Sequence, residues 1–209
     1  MKISKVQIYG ERCSGTNYLE NLLKINFDID ITWEYGWKHF FGFNDDKYIN
    51  SDDTLFICIV RDIYDWINSF YRELHHLPLK YMIDLSHNDK INIFLNNEFY
   101  SIDDNNPGKI DFDKEIMEDR NIYTNLRYKN IFELRHIKLK YLIDDLPKKV
   151  KNYVFIKYED LLDDFIYTMN KIKNSGLNIK SDINCDWTCR ISCNEVLNTI
   201  RDFKQIKKK

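Results

Sequence analysis

Two uninterrupted apolar runs and one alternating run set the plan of this chain. Leu55-Phe56-Ile57-Cys58-Ile59-Val60 and Tyr153-Val154-Phe155-Ile156 contain no charged position, the pattern of strands covered on both faces. Lys5 to Tyr9 reads as a first strand. Phe27-Asp28-Ile29-Asp30-Ile31-Thr32-Trp33 alternates apolar and polar, as a half-buried strand does. Residues 17–25 place Tyr18/Leu22 and Leu19/Leu23 four apart on one helical face. Residues 64–74 read as a second helix, and Leu162, Phe165, Met169 and Ile172 mark a third helical stripe. Strand and helix alternate, so the expected class is α/β, a three-layer α/β/α arrangement on a mainly parallel central sheet.

Residues 86–121 break the rhythm. They are polar, and Asp103-Asp104-Asn105-Asn106-Pro107-Gly108 is a strong turn signal. The expectation is an irregular insert acting as a mobile lid. No repeat or domain-scale linker interrupts the 209 residues, so one domain over 1–209 is expected.

Composition changes this picture little. A 44% hydrophobic, 15% aromatic chain has ample material for a core, and a net charge of -2 gives no argument for nucleic acid. The basic tail from Lys204 to Lys209 reads as a solvated end. No run approaches the roughly 20 apolar residues of a membrane span, and Met1-Lys2-Ile3-Ser4 leads into a strand without the apolar core of a signal peptide. Five cysteines, one inside an apolar strand, favour a reducing compartment. The expectation is cytoplasmic.

The chemistry concentrates after the strands. Gly10-Glu11-Arg12-Cys13-Ser14-Gly15-Thr16-Asn17 follows the first strand and opens a helix. Such a turn converges backbone N–H groups on one point, where a phosphate fits. The G-x-x-x-x-G spacing is that of a P-loop, but Thr16-Asn17 stand where Lys-Ser/Thr would be. The apolar strand 55–60 ends in Arg61-Asp62, at the sheet edge where ligands of open α/β folds sit. Arg61 offers a planar fork suited to phosphate oxygens, and Ser69, eight residues on, adds a hydroxyl about two helical turns away. Taken alone, Arg61 and Asp62 also fit a plain surface ion pair.

Together these residues resemble the sulfotransferase family, which uses 3′-phosphoadenosine 5′-phosphosulfate (PAPS). Cys13-Ser14-Gly15-Thr16-Asn17-Tyr18 is similar to that family's Lys-Ser-Gly-Thr-Thr-Trp loop for the 5′-phosphosulfate. Val60-Arg61-Asp62 through Ser69-Phe70-Tyr71 resembles its 3′-phosphate motif, and Lys157-Tyr158-Glu159-Asp160-Leu161-Leu162 its Tyr-Glu-Asp-Leu segment. The resemblance spans the chain from its start to about Ser175 and implies a P-loop NTPase-like, sulfotransferase-like fold. It also implies PAPS as co-substrate, PAP as product, and a hydroxyl-bearing acceptor: carbohydrate, protein tyrosine or small molecule. Arg12, Cys13, Ser14, Gly15, Thr16, Asn17 and Tyr18, with Arg61, Ser69 and Tyr158, would bind the nucleotide. Tyr18 and Tyr158 are the candidates for the adenine face. The family's loop lysine falls at Cys13, so its charge would come from Arg12 or Lys38. The family's C-terminal Gly-Asp-Trp-Lys segment has only an echo in Asn184-Cys185-Asp186-Trp187-Thr188-Cys189-Arg190.

Sulfuryl transfer needs a group to take the acceptor proton and a cation to neutralise the leaving oxygen. His39 stands 22 residues before Arg61, a spacing similar to that of the family's catalytic histidine, with Lys38 beside it to assist. Arg12 is the third catalytic candidate, and Glu34 or Glu11 the alternative bases. The bland reading of His39 is a packing residue among Trp37, Phe40 and Phe41. The scheme requires no metal. Cys185, Cys189 and Cys193 repeat at four-residue spacing without a nearby His and read as packing cysteines. His75-His76 ends a helix without a carboxylate pattern. Cys13 at a helix N-terminus is a candidate thiolate, but no His adjoins it in sequence. Two other classes compete. A P-loop kinase or NTPase lacks its lysine after Gly15 and has Arg61 at the strand end where a Mg²⁺-binding Asp is expected. A nucleotide-binding scaffold without transfer activity is favoured by Cys13 itself.

Overall fold

In the computed structural model, which describes residues 2–104 and 114–180, the two most apolar strands lie side by side in the middle of the sheet. β1 (Lys5–Gly10) pairs in parallel with β3 (Thr54–Val60), from Lys5 opposite Thr54 to Gly10 opposite Ile59. β4 (Asn152–Lys157) adds in parallel to β3, and the two-residue β2 (Asp30–Ile31) adds in parallel to β1. The order is β2-β1-β3-β4. The α/β class with a parallel sheet is therefore as the sequence implies.

Alternation along the central strands sorts side chains onto two faces. Val6, Ile8, Leu55, Ile57, Ile59, Val154 and Ile156 pack beneath α1 (Thr16–Asn26), α6 (Tyr158–Asp163) and α7 (Phe165–Asn174). Tyr9, Phe56 and Cys58 point the other way, onto Tyr35, Phe41, Tyr48, Tyr141 and Leu146. A third cluster lies around α2 (Ile63–Arg72), α3 (His87–Asn96) and α4 (Ile131–Lys140), with Trp66 fully buried in it. Burying a side chain of that size contributes about 1.5–3 kcal/mol or more. α4 continues through a π turn (Tyr141–Asp145) into the short α5 (Leu146–Lys149).

Three expectations need correction. The alternating run 27–33 forms a strand only at Asp30 and Ile31, while Phe27 makes an isolated antiparallel bridge to Ile179. The stripe 162–172 is two helices, interrupted at Asp164, whose φ of −136° and ψ of 62° lie outside the helical region. The stretch 86–121 is not an irregular insert where it is described. Ser86 caps α3 by accepting from the Asp89 N–H, and Phe94, Phe99 and Ile102 are buried. Ile102 donates its N–H to His76 O, and Asp119 lies in the interior. This segment is a wall of the molecule, held by apolar contacts that its polar composition obscured. The Asn105–Gly108 turn, the three C-terminal cysteines, the 184–190 echo and the basic tail lie outside the described residues.

Candidate functional site

The order β2-β1-β3 means the chain leaves β1 to one side and returns on the other. That makes a crevice at the C-terminal ends of β1 and β3. The loop 11–15 and Arg61 both begin there. The loop is bent by positive φ at Cys13 (62°) and Gly15 (96°). A side chain at Gly15 would put its Cβ 2.3 Å from the Tyr158 ring, and one at Gly10 would meet Ile59 O and Ser14 Oγ at 2.6 Å. Close approach requires both glycines, and torsion as well requires Gly15.

The loop carbonyls are turned into the protein and each is engaged. Gly10 O accepts from His39 Nδ1 (2.8 Å) and Glu11 O from Ser14 Oγ (2.6 Å). Arg12 O accepts from Trp66 Nε1 (2.8 Å), and Cys13 O from an Arg61 terminal nitrogen (3.3 Å). The Ser14 N–H donates to Glu11 O (3.2 Å), and the first turn of α1 brings its intrahelically unpaired amide hydrogens to the crevice. Gly15, the N-cap, supplies no side-chain cap to that turn.

A cavity of about 570 Å³ opens over this loop. Its lining comprises Arg12, Cys13, Gly15, Thr16, Asn17, Tyr18, Trp37, Lys38, His39, Arg61, Ser69, His75, His76 and Tyr158. It brings together nearly every residue singled out from the sequence, and none of its described lining residues is a carboxylate. Ser14 is fully buried behind it. The separate cavity of about 480 Å³ between Leu77, Pro78, Phe94 and Phe99 is apolar and shares none of these residues.

The individual placements differ from expectation in instructive ways. Arg12 borders the cavity, but its guanidinium turns inward. It donates to Asp119 Oδ2 (2.7 Å), Ser101 Oγ (2.8 Å) and His75 O (3.0 Å), over the rings of Phe70 and Phe99. Its donors are committed to the wall rather than offered to a ligand. Lys38 is at the cavity, held by Asn17 and by Glu20 (3.4 Å) and flanked by the Trp33 and Trp37 rings. Of the two candidates for the missing loop charge, Lys38 is the one so placed. Arg61 lies 4.8 Å over the Tyr158 ring, and its Nε is buried without a hydrogen-bond partner among the described residues. The guanidinium thus borders the cavity with a donor not yet spent on the protein. Tyr158, packed between Gly15 and Arg61, is a platform for the guanidinium, and Tyr18 meets it edge to face at 6.1 Å.

His39 carries its proton on Nδ1, because a carbonyl accepts there, so Nε2 holds the lone pair. Burial lowers its pKa to about 3; the Gly10 bond opposes this, and Arg12, Lys138 and Lys38 lower it further. The ring is neutral. Burial pushes the Cys13 thiol up, outweighing Arg12 and a hydrogen bond with Ser69, so a thiolate nucleophile is not the form present. The alternative bases fare badly. Glu34 is exposed and pairs with Lys5, at the opposite end of β1. Glu11 is buried away from the lining and receives Arg135 at 2.6 Å; burial raises it to about 7 against that cation.

Sequence reasoning missed four groups here: Trp37 as an exposed cavity wall, the lining role of His75 and His76, Asp119, and the cationic face of α4. Only His75-His76 left a legible trace. The others depend on which distant segment packs beside the loop.

No protein-family model matches the chain, and no curated protein matches it. Among solved structures, the crystal structure of mouse sulfotransferase SULT7A1 complexed with PAP aligns with a TM-score of 0.47 at 14% sequence identity. The alignment covers 91% of this chain and 64% of that one, so this chain spans less than two thirds of that protein's length. A likeness at this level says nothing about what this chain binds. The structure defines an α/β protein with a parallel sheet and, at its topological switch point, a cavity whose described lining carries Lys38 and Arg61 and no carboxylate. No helix among the described residues is long and apolar enough to cross a membrane.

Proposed function

We propose that the cavity binds PAPS and that the protein transfers its sulfuryl group to a hydroxyl-bearing acceptor, a carbohydrate, a tyrosine or a small molecule. One observation carries the reading. Arg61, with its orphan Nε, and Ser69 share one cavity with the Gly10–Gly15 loop, and no carboxylate lies among the described lining residues. In this reading Arg61 and the loop form two separate phosphate subsites, and the absence of carboxylates among the described lining residues favours a nucleotide held by cations and amides over one presented with Mg²⁺.

In this reading the amides of Cys13, Gly15, Thr16 and Asn17 and the Thr16 hydroxyl hold the 5′-phosphosulfate, while Arg61 and Ser69 hold the 3′-phosphate. Lys38 neutralises charge growing on the leaving oxygen. His39 Nε2 takes the acceptor proton as the new O–S bond forms and the bond to the 5′-phosphate breaks. A neutral imidazole is ready for that task, and the negative charge of a bound nucleotide raises its basicity by the same Coulombic effect through which the cations lower it. Arg12 supports the wall, and Cys13 contributes its backbone.

Calorimetric titration with PAP and with ADP, without Mg²⁺, on the wild type and Arg61→Ala tests this. Hydrogen bonds to a charged group contribute about 1.5–3 kcal/mol, so the wild type is expected to prefer PAP by roughly 10- to 100-fold. The variant should lose that preference. Equal binding of PAP and ADP, or binding of neither, overturns the proposal.

A further inference from the structure

The two anchors of the site, Arg61 and His39, sit in different loops, yet one helix holds both. Arg135 and Lys138 are three residues apart on α4 and so share a face. Arg135 donates one terminal nitrogen to Arg61 O (2.6 Å) and the other to Glu11 Oε2 (2.6 Å). Lys138 Nζ donates to His39 O (2.7 Å) and also pairs with Asp119. Both side chains are nearly inaccessible, at 10% and 3% exposure. The Arg135 guanidinium also lies 4.7 Å over Trp66, whose indole N–H holds Arg12 O. Buried charges of this kind contribute little net stability compared with apolar replacements. Their geometry suits a different task.

We propose that Arg135 and Lys138 are positioning residues: α4 uses them as a two-pronged clamp that sets Arg61 and His39 in register with the anion loop. The inference rests on the function proposed above for its consequence, and on these contacts alone for its geometry. A misplacement of about 1 Å at such an anchor costs on the order of 10²-fold in rate. Arg135 is the more demanding of the two. Its planar fork reaches Glu11 and the Arg61 carbonyl with two separate nitrogens in one plane, a geometry that the single nitrogen of a lysine does not reproduce.

The test uses Arg135→Lys, Lys138→Met and, as the conservative control, Lys138→Arg, each with two readouts. The first is the PAP-to-ADP affinity ratio. It is expected to fall about 10-fold in Arg135→Lys while Lys138→Arg stays at the wild-type value. The second is NMR of the ligand-free protein, following the His39 ring titration and the Arg61 Nε–H resonance. Lys138→Met is expected to raise the His39 pKa, and Arg135→Lys to broaden or shift Arg61. Should Lys138→Met fail to fold, Lys138→Leu, which likewise removes the donor to His39 O, replaces it. Wild-type resonances and an unchanged ratio in folded variants overturn the clamp. A wild type that does not distinguish PAP from ADP overturns the proposed function instead, and the NMR comparison still decides the clamp.

Discussion

Asp119→Asn is the most informative single change in the cavity wall. The carboxylate is completely buried and lies between two cations, Arg12 at 2.7 Å and Lys138, with Ser101 as a further donor. Burial pushes its pKa up, yet Arg12 and Lys138 together outweigh burial and hold it below the usual aspartate range. The amide keeps the shape and removes the charge, leaving two buried cations uncompensated. Breaking a buried pair by removing one partner costs about 3–5 kcal/mol. For a chain of this size each kcal/mol lowers the melting temperature by about 2–4 °C, so the expected fall is roughly 6–20 °C. Thermal unfolding followed by circular dichroism at neutral pH measures it, with Glu34→Gln at the exposed Lys5 pair as a control that leaves the transition in place. Asp119→Asn combined with Lys138→Met restores part of the loss, because one of the stranded cations is gone. The reasoning is refuted if Asp119→Asn unfolds at the control's temperature. It is equally refuted if freeing Arg12 tightens anion binding, since Arg12 would then be a ligand residue restrained by Asp119.

His39→Ala is expected to lower sulfuryl transfer by about 10²-fold or more with PAP affinity nearly unchanged in calorimetry; an equal loss of affinity would assign the ring to binding. The same histidine gives a pH signature. Its pKa falls from 6.5 to about 3 on folding, so in acid the unfolded chain takes up a proton that the folded chain refuses. Stability is fully present above about 6.5 and declines as pH falls toward 3; denaturant titrations on His39→Gln should show a shallower decline over that window. Gly15→Ala combines a φ of 96° with a Cβ 2.3 Å from the Tyr158 ring. Displacing that ring removes the platform under Arg61, so PAP binding and melting temperature should drop together, whereas loss of stability alone would disconnect Tyr158 from the site. Alkylation of Cys13 at pH 8 is expected to run slower than that of a free peptide thiol, measured by mass spectrometry of the labelled peptide, because burial keeps it protonated.

How much of this was readable in the chain follows from locality. The central strands, α1, α2 and the loop 10–17 are written in contiguous periodicity and glycine spacing, and they appear nearly where the pattern put them. The common position of Arg61 and the loop followed from strand polarity alone. Arg12 was misread because its partner, Asp119, lies 107 residues away, and no local pattern reports such a pairing. Residues 86–121 were misread for a related reason: Phe94 and Phe99 lie in short apolar stretches broken by polar positions, and packing beside α2 and α4 turns them into core. α4 shows no strong one-sided apolar stripe, because its inward face carries Arg135 and Lys138 alongside Ile131 and Leu134.

The four inward-turned carbonyls of the loop bear on how the protein acquires its site during folding. Their donors beyond the loop itself, His39, Trp66 and Arg61, are separated from it by 29, 54 and 48 residues. A contact set with those separations closes late, after the chain has met the entropy of several long loops. A nascent chain ending before β3 therefore contains the whole glycine motif and no anion cradle. Ligand affinity becomes a gauge of completed folding, and a bound nucleotide at 100 times its Kd adds about 2.7 kcal/mol to the folded state alone.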